Sequence, residues 1–435
     1  DGPSPRHTIH SLVASAVVDG GEAALTALCS AGRNGGESSL ARLLLVLVSA
    51  APALSDAICL HPSIPDLLLG PLGAMEPAAL RLVALILYHP PGNMFPAWTG
   101  HIPLAPLLAL VADGHPAAAR GSDAAAALMA ALLRHPAMTA ALCEPARLSR
   151  MLGVAQAALT AAAKTDPADV AGGGASLVGC AEAAVFSPFD GWVTLVYRLL
   201  SVGGATMARA FVDANMLATL AALAAAPRVL APPALVATMR VLYEVTSASL
   251  HAKTPPRDIL ATLVPSLLAV LDPALLSDIA TWPLSCGGGR ERVSLLAFQV
   301  FSIIHLPLQQ SVPDTLPALL ELLVAQGVIP AAVAALPLVE PSHVDTALGL
   351  VSRIVLALPG GAAEFVDAGG LSPTVLGPLL PASSQSPLSP PGLIDVLLIL
   401  SQLARLSASY YPPILESGVV GEPLAHVLDH NDGEV

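Results

Sequence analysis

A short pattern that recurs along the chain constrains its fold more than any other sequence feature. It occurs at four places, which are residues 211–217, 323–330, 365–371 and 415–420. The best copies read FVDANML and FVDAGGL, with Gly369 of the latter lying 42 residues after Gly327 and 49 before Gly418. Each copy joins a helix end, a Gly or Asn that tolerates the left-handed backbone conformation, and an apolar residue that opens the next helix. The pattern therefore predicts repeated helix–cap–helix junctions.

The stretches between these junctions have helical periodicity. Three apolar stripes stand out: Val293, Ala297, Val300 and Ile304; Val344, Leu348, Val351, Val355 and Leu358; and Leu393, Val396, Leu397, Leu400 and Ala404. They recur at helical intervals, and strand-type alternation is missing. The junction spacing matches the roughly 40–47-residue period of armadillo and HEAT repeats. The sequence thus predicts an all-α fold, an armadillo/HEAT-type right-handed superhelical solenoid.

Individual helix boundaries follow from capping signals. Ser342 with Asp345 three residues later forms a capping-box pattern, and Asp272 before Pro273 predicts an N-cap followed by proline in the first turn. His–Pro or a close variant follows three helical patterns, at His89, His135 and His305. We interpret these as helix stops, in which proline ends the helix and histidine caps its last carbonyl groups, rather than as ligand sites.

The domain organisation predicted is one continuous helical-repeat solenoid over residues 1–435. The chain begins without Met, and its last residues resemble the start of a new element, so we expect a fragment of a longer polypeptide. Residues 164–176 and 381–391 are small, polar or proline-rich, and we expect long loops there.

Composition argues against several classes of partner. Apolar residues make up 54% of the chain, but no run approaches the roughly 18 unbroken apolar residues of a membrane span, so we predict no membrane partner. The net charge is −13 with 19 scattered Lys and Arg, which argues against nucleic acid. Five separated cysteines without a C-x-x-C pattern indicate neither zinc nor disulfides and favour a reduced, intracellular compartment.

A search for catalytic motifs yields none. Kinase signatures are missing, and the glycines 287–289 lack the Lys-Ser/Thr that a P-loop needs. Cys286 beside them has no partner base that the sequence identifies, so a buried or loop thiol is the default. We predict no catalytic, cofactor or metal residues in this segment, and the sequence assigns no binding residue.

Four segments in the second part of the chain match a known family in order. Residues 185–200 contain FSPFDGW followed by LVYRLL, and 282–307 contain WP, GGG and HLP. Residues 351–371 contain VSRIVL before FVDAGGL, and 403–430 contain LARLS, YYP and LDH. Together they resemble the C-terminal armadillo-like helical region of Fused-type serine/threonine kinases. Residues 1–180 fit only a generic helical repeat.

The resemblance implies a protein with a kinase domain outside this segment. Family roles include Hedgehog signalling, phragmoplast-linked cytokinesis and construction of the ciliary central apparatus, and kinesin-like partners recur among them. We therefore expect a location in the cytoplasm and cytoskeleton, in the axoneme of a cilium or flagellum, and partners that are central-apparatus components or a kinesin-like protein.

The function predicted is a non-catalytic protein–protein interaction scaffold, the docking arm of a Fused-like kinase in a microtubule-based assembly. The alternative is a soluble armadillo adaptor that binds extended peptides in its groove. Such adaptors array Trp and Asn on successive helices, whereas this chain has only Trp98, Trp192 and Trp282 and no Asn at matching positions. An autoinhibitory or targeting arm for the kinase is a third possibility that the sequence does not separate from the first.

Overall fold

The computed structural model is helical wherever it describes the chain. The described residues are 15–17, 19–21, 23–30, 37–50, 54–61, 64, 68, 76–88, 102, 106–107, 119–133, 139–140, 142–166, 190–281, 288–377, 379 and 388–417. Of these, 84% are in helices and none is in a strand. The predicted all-α class is confirmed. The residues divide into two compact units, one of 1–219 with 228–241 and one of 220–227 with 242–435.

In the first unit, long helices pack one against the next. The helices are α1 (Glu37–Ala50), α2 (Leu54–Leu60), α3 (Pro77–Tyr88), α4 (Ala119–Leu132), α5 (Pro145–Ala163) and α6 (Asp190–Asp213). Contacts join α1 to α3, α3 to α4 and α4 to α6. Alanine and leucine dominate these interfaces, and Ala124–Ala126 of α4 are completely buried. Small side chains let the helix axes approach closely, which accounts for the alanine-rich sequence.

Two helices, α7 (Met216–Ala224) and α8 (Pro232–His251), contain residues of both units. The second unit continues with α9 (Pro256–Val270), α10 (Pro273–Thr281), α11 (Arg290–Gln309), α12 (Leu316–Ala325), α13 (Val328–Ala335), α14 (Asp345–Ala357), α15 (Pro359–Asp367), α16 (Pro373–Leu376), α17 (Pro390–Leu406) and α18 (Tyr411–Glu416). Its long helices also pack in sequence, α9 on α11, α11 on α14 and α14 on α17. The three apolar stripes lie on or directly beside these helices, and eleven of their fourteen residues are buried, as predicted.

The repeated junctions adopt the predicted left-handed cap. The backbone φ is 54° at Asn215, 77° at Gly327 and 81° at Gly369. Each of the three donates its N–H to the carbonyl three residues earlier at 2.9 Å. The same turn therefore ends α6, α12 and α15, because only Gly or Asn takes this conformation at low cost. Gly418, in the fourth copy, lies outside the described residues.

The capping predictions have mixed outcomes. Asp272 caps α10 as predicted, since its Oδ1 accepts the N–H of Ala274 at 3.2 Å. The capping box at Ser342 is wrong, because residues 341–343 form a 3-10 turn and α14 begins only at Asp345. The Asp345 carboxylate accepts a hydrogen bond from Ser389, the residue that caps another helix. It therefore does not cap the start of its own helix.

The helix stop predicted at His305 is also wrong. α11 continues through Pro307 to Gln309. Proline removes one backbone hydrogen bond, but it lies in the last turn, and the flanking Leu306 and Leu308 are buried. Burial of these side chains offsets the lost bond. The stops predicted at His89 and His135, and residues 167–176 and 381–387 of the predicted loops, lie outside the described residues.

One described helix, α11, is long and apolar enough to span a membrane, and three bent helix pairs would also qualify if each pair formed one span. In α11, 67% of the most apolar window is buried inside the protein. Its apolar surface therefore packs largely against neighbouring helices. The absence of a membrane partner stays a prediction.

Candidate protein-binding surface

A row of three helices in the second unit presents the surface best suited to a partner. α11 contacts α14 and α14 contacts α17. Each helix buries one side in the unit and leaves a stripe of residues at the surface. On α11 the stripe contains Phe298, Ser302 and His305, spaced by four and three residues, so all three lie on one side of the helix.

Polar contacts at the helix starts hold these three helices together. Ser294, near the start of α11, accepts the backbone N–H of Glu340, which precedes α14, at 2.8 Å. Ser389 donates its hydroxyl hydrogen to Asp345 at 2.5 Å, and its oxygen accepts the N–H of Gly392 at the start of α17. These bonds hold the start of α11 to the segment before α14, and the start of α14 to the N-cap of α17.

A second contact fixes the α14–α17 pair one to two turns further along. Asp395 of α17 accepts a hydrogen bond from Ser352 of α14. Its Oδ2 would lie 3.3 Å from a side chain at Gly349, so the glycine keeps room for the carboxylate. Burial raises the pKa of Asp395, the Ser352 hydrogen bond opposes the rise, and the charge of Asp345 adds to it.

One part of the exposed surface of this row is mostly apolar and contains one cation, Arg353. We call it the row face and define it by these residues: Phe298, Ser302, His305, Arg353, Leu356, Ile394 and Leu398. Phe298, Leu356 and Leu398 are 41%, 40% and 40% exposed. Such large apolar side chains on adjacent helices are typical of interaction surfaces.

His305 and Arg353 are neighbours across the α11–α14 contact. Burial lowers the pKa of His305, and the positive charge of Arg353 lowers it further. The Nδ1 atom of His305 is buried without a hydrogen-bond partner. The imidazole is therefore neutral at physiological pH, and Arg353 carries the positive charge at this point of the face.

The reactive side chains of the row face are those of His305 and Ser302. The row face has no thiol or carboxylate beside His305, and its one hydroxyl, Ser302, lies a turn away without a base bonded to it. Among the described residues no group of three or more His, Cys, Asp or Glu could hold a metal ion. A cavity between α14, α15, α16 and α17 is lined by apolar side chains such as Leu348, Phe365 and Leu400.

The DGW sequence that contributes to the family resemblance has a structural place in the first unit. Asp123 of α4 accepts the backbone N–H of Trp192 at 3.1 Å and a hydrogen bond from the N–H of Gly191. Its other oxygen accepts Arg81 Nη2 of α3 at 3.0 Å. The start of α6 is thus tied to two preceding helices.

Burial and the positive charge of Arg81 have opposite effects on the pKa of Asp123. Burial raises the pKa of Asp123 to about 8, with a smaller rise from Asp190, although Arg81 and the two backbone N–H groups lower it. The carboxyl group is only 1% exposed. Its oxygens are directed at helix starts and at Arg81 rather than at a cleft, so this cluster stabilises the unit.

Other residues that the sequence singled out are either buried or outside the described residues. Trp192 is 1% exposed, whereas Trp98, Trp282 and Cys286 lie outside the described residues. Gly289 caps α11 with a φ of 98° and donates its N–H to the carbonyl of Ile279 at 3.0 Å. This contact closes the glycine-rich turn onto α10. Nothing in the sequence pointed to the row face, except that its exposed residues alternate with the buried stripe of each helix.

No protein-family model matches the chain, and no curated protein matches it significantly. The resemblance to Fused-type kinases therefore stays a prediction from the four sequence segments.

Proposed function

We propose that this chain is a non-catalytic scaffold that binds other proteins through the row face. The observation that carries the proposal is the set of large apolar side chains exposed on the neighbouring helices α11, α14 and α17. Burying such side chains against a partner contributes about 25 cal/mol per Å2 of apolar surface. Few charges oppose that burial, since only 12% of the residues are charged.

The narrower proposal is that the scaffold is the docking arm of a Fused-like kinase in a microtubule-based assembly such as the ciliary central apparatus. It is supported by the order of the four matching segments in the sequence. Its partners would be central-apparatus components or a kinesin-like protein in the axoneme. The net charge of −13 disfavours direct binding to acidic tubulin tails, so the contact would be with associated proteins.

The alternative is a soluble adaptor that binds extended peptides in a groove. Its support is the same row of helices, which would line such a groove in an armadillo array. Trp192 is buried and therefore unavailable to a peptide, which ranks this function second.

Affinity capture from a ciliary extract tests the proposal. The whole chain is compared with a Leu398→Asp variant, which places a charge on the row face, and with a Val312→Asp control, which alters an exposed residue elsewhere in the same unit. We expect axonemal proteins with the unaltered chain and the control but not with Leu398→Asp. Equal capture by all three would contradict binding through the row face, and transport cargo without axonemal proteins would favour the adaptor.

A further inference from the structure

We propose that the row face recognises a partner segment that carries a single carboxylate side chain between apolar residues, and that Arg353 binds this carboxylate. The inference rests on the proposed scaffold function and specifies the chemistry of its partner. It rests on two observations: Arg353 and the Nδ1 atom of His305 have no hydrogen-bond partner among the described residues, and apolar side chains surround them.

Arg353 is half-buried and has no ion pair or hydrogen bond with any described residue. A guanidinium group has five N–H donors, and none of those of Arg353 is buried without a partner, so they remain accessible to an acceptor from outside. Two arginines of the described residues, Arg81 and Arg209, show the pairing that Arg353 lacks, with Asp123 and Asp213. A carboxylate from outside would supply the missing acceptors, and arginine binds carboxylates with two parallel hydrogen bonds.

His305 supports the same ligand from the neighbouring helix. Its Nδ1 has no hydrogen-bond partner, and the Arg353 charge helps to keep the ring neutral. A neutral imidazole still has one N–H donor. A carboxylate held by Arg353 would lie beside this ring and, because Nδ1 is buried, could accept a hydrogen bond only from the Nε2–H tautomer.

The apolar side chains around Arg353 determine which partner residues fit on either side of the carboxylate. Phe298 lies two turns before His305 on α11, Leu356 follows Arg353 by three residues on α14, and Leu398 lies on α17. All three are large, apolar and exposed. A partner with apolar residues on both sides of its acidic one would bury them, and that burial would exclude water from the ion pair and strengthen it.

The charge of the whole chain excludes a densely acidic partner. A net charge of −13 repels a run of acidic residues at a distance, whereas one carboxylate gains more from Arg353 than it loses to the overall field. The partner class is therefore an apolar segment with one acidic residue, and not a polyacidic tail.

The test uses an array of short peptides that vary Leu, Ile and Phe around a central Glu, with a Gln copy and a Lys copy of each, and polyglutamate as a further probe. Binding to the whole chain is measured by fluorescence anisotropy. We expect Glu peptides to bind about tenfold more tightly than their Gln copies, or ~1.4 kcal/mol. The preference should disappear in Arg353→Gln and persist in Arg257→Gln, which removes an exposed arginine from α9.

Three results would overturn the inference: no preference for Glu over Gln, a preference that survives Arg353→Gln, or tighter binding of polyglutamate. Arg353→Gln should leave the fold intact because Arg353 bonds to no described residue, and thermal melting checks this. The result is separable from the scaffold test: if Leu398→Asp loses its axonemal partners while Arg353→Gln keeps them, the scaffold function stands and this inference fails.

Discussion

Asp123, the fifth residue of α4, accepts the backbone N–H of Trp192 at 3.1 Å across 69 residues of sequence. Ser294, the fifth residue of α11, accepts the N–H of Glu340 in the same way. Asp345, the first residue of α14, accepts the hydroxyl of Ser389, which caps α17. In each case an oxygen near the start of one long helix bonds to a residue at or shortly before the start of a helix that packs against it. At Trp192 the contact supplies an acceptor to one of the first N–H groups of α6, which have none within the helix.

Removal of the Asp123 side chain is expected to destabilise the first unit. Asp123→Ala removes a buried group that accepts hydrogen bonds from Arg81 and from the backbone N–H groups of Gly191 and Trp192, and each buried donor left without an acceptor costs about 1–3 kcal/mol. Asp213→Ala, which breaks the exposed pair with Arg209, should cost less than ~1 kcal/mol. Hydrogen exchange of peptides from α4 and α6 measures both. Equal protection in the two variants would show that the buried cluster contributes no more than a surface pair.

The stability of the first unit should depend on pH through Asp123. Its folded pKa is raised from 3.8 to about 8, so the folded protein holds a proton that the unfolded chain releases. The contribution of Asp123 to the free energy of unfolding is fully present below pH ~4 and is lost as the pH rises through about 8. Urea unfolding between pH 5 and 9 should show this decline when it is monitored by hydrogen exchange of the α4 amides. Asp123→Asn should flatten it, and an unchanged slope in that variant would assign the effect to another group.

The close approach of α4 and α6 should tolerate no side chain at position 191. A Cβ on Gly191 would overlap the carbonyl oxygen of Asp123, so Gly191→Ala must displace backbone. We expect a loss of about 1–3 kcal/mol or more, as for other overpacked sites. Gly153→Ala on α5, where a Cβ meets nothing within 4 Å, should instead stabilise by ~0.5–1 kcal/mol. The two variants together separate steric conflict from helix propensity in one urea-unfolding series.

At two of the left-handed caps we expect different effects of substitution on the free energy of unfolding. Gly369→Ala should cost about 1–2 kcal/mol, because φ is 81° and a Cβ there meets no neighbour, so the cost is conformational. Asn215→Gly at the equivalent junction should be neutral or slightly stabilising, since glycine takes a φ of 54° without strain. Urea midpoints give both values. A loss of stability in Asn215→Gly would mean that the asparagine side chain, and not the backbone, holds this turn.

The sequence by itself determined the helical class, the left-handed junctions and the buried stripe of each long helix. These features are local: a φ near +60° selects Gly or Asn at positions 215, 327 and 369, and apolar periodicity selects the buried side of α11, α14 and α17. The cap at Asp272 was predictable for the same reason, because it bonds only two residues away.

Only the tertiary structure decided which long-range contacts override local signals. Ser342 and Asp345 form a capping box in sequence, yet Asp345 bonds to Ser389, 44 residues later. The helix stop at His305 fails because burial of Leu306 and Leu308 outweighs the bond that Pro307 removes. The unpaired state of Arg353 also depends on which side chains distant segments bring near it. Such contacts join residues far apart in the chain, and no local pattern encodes them.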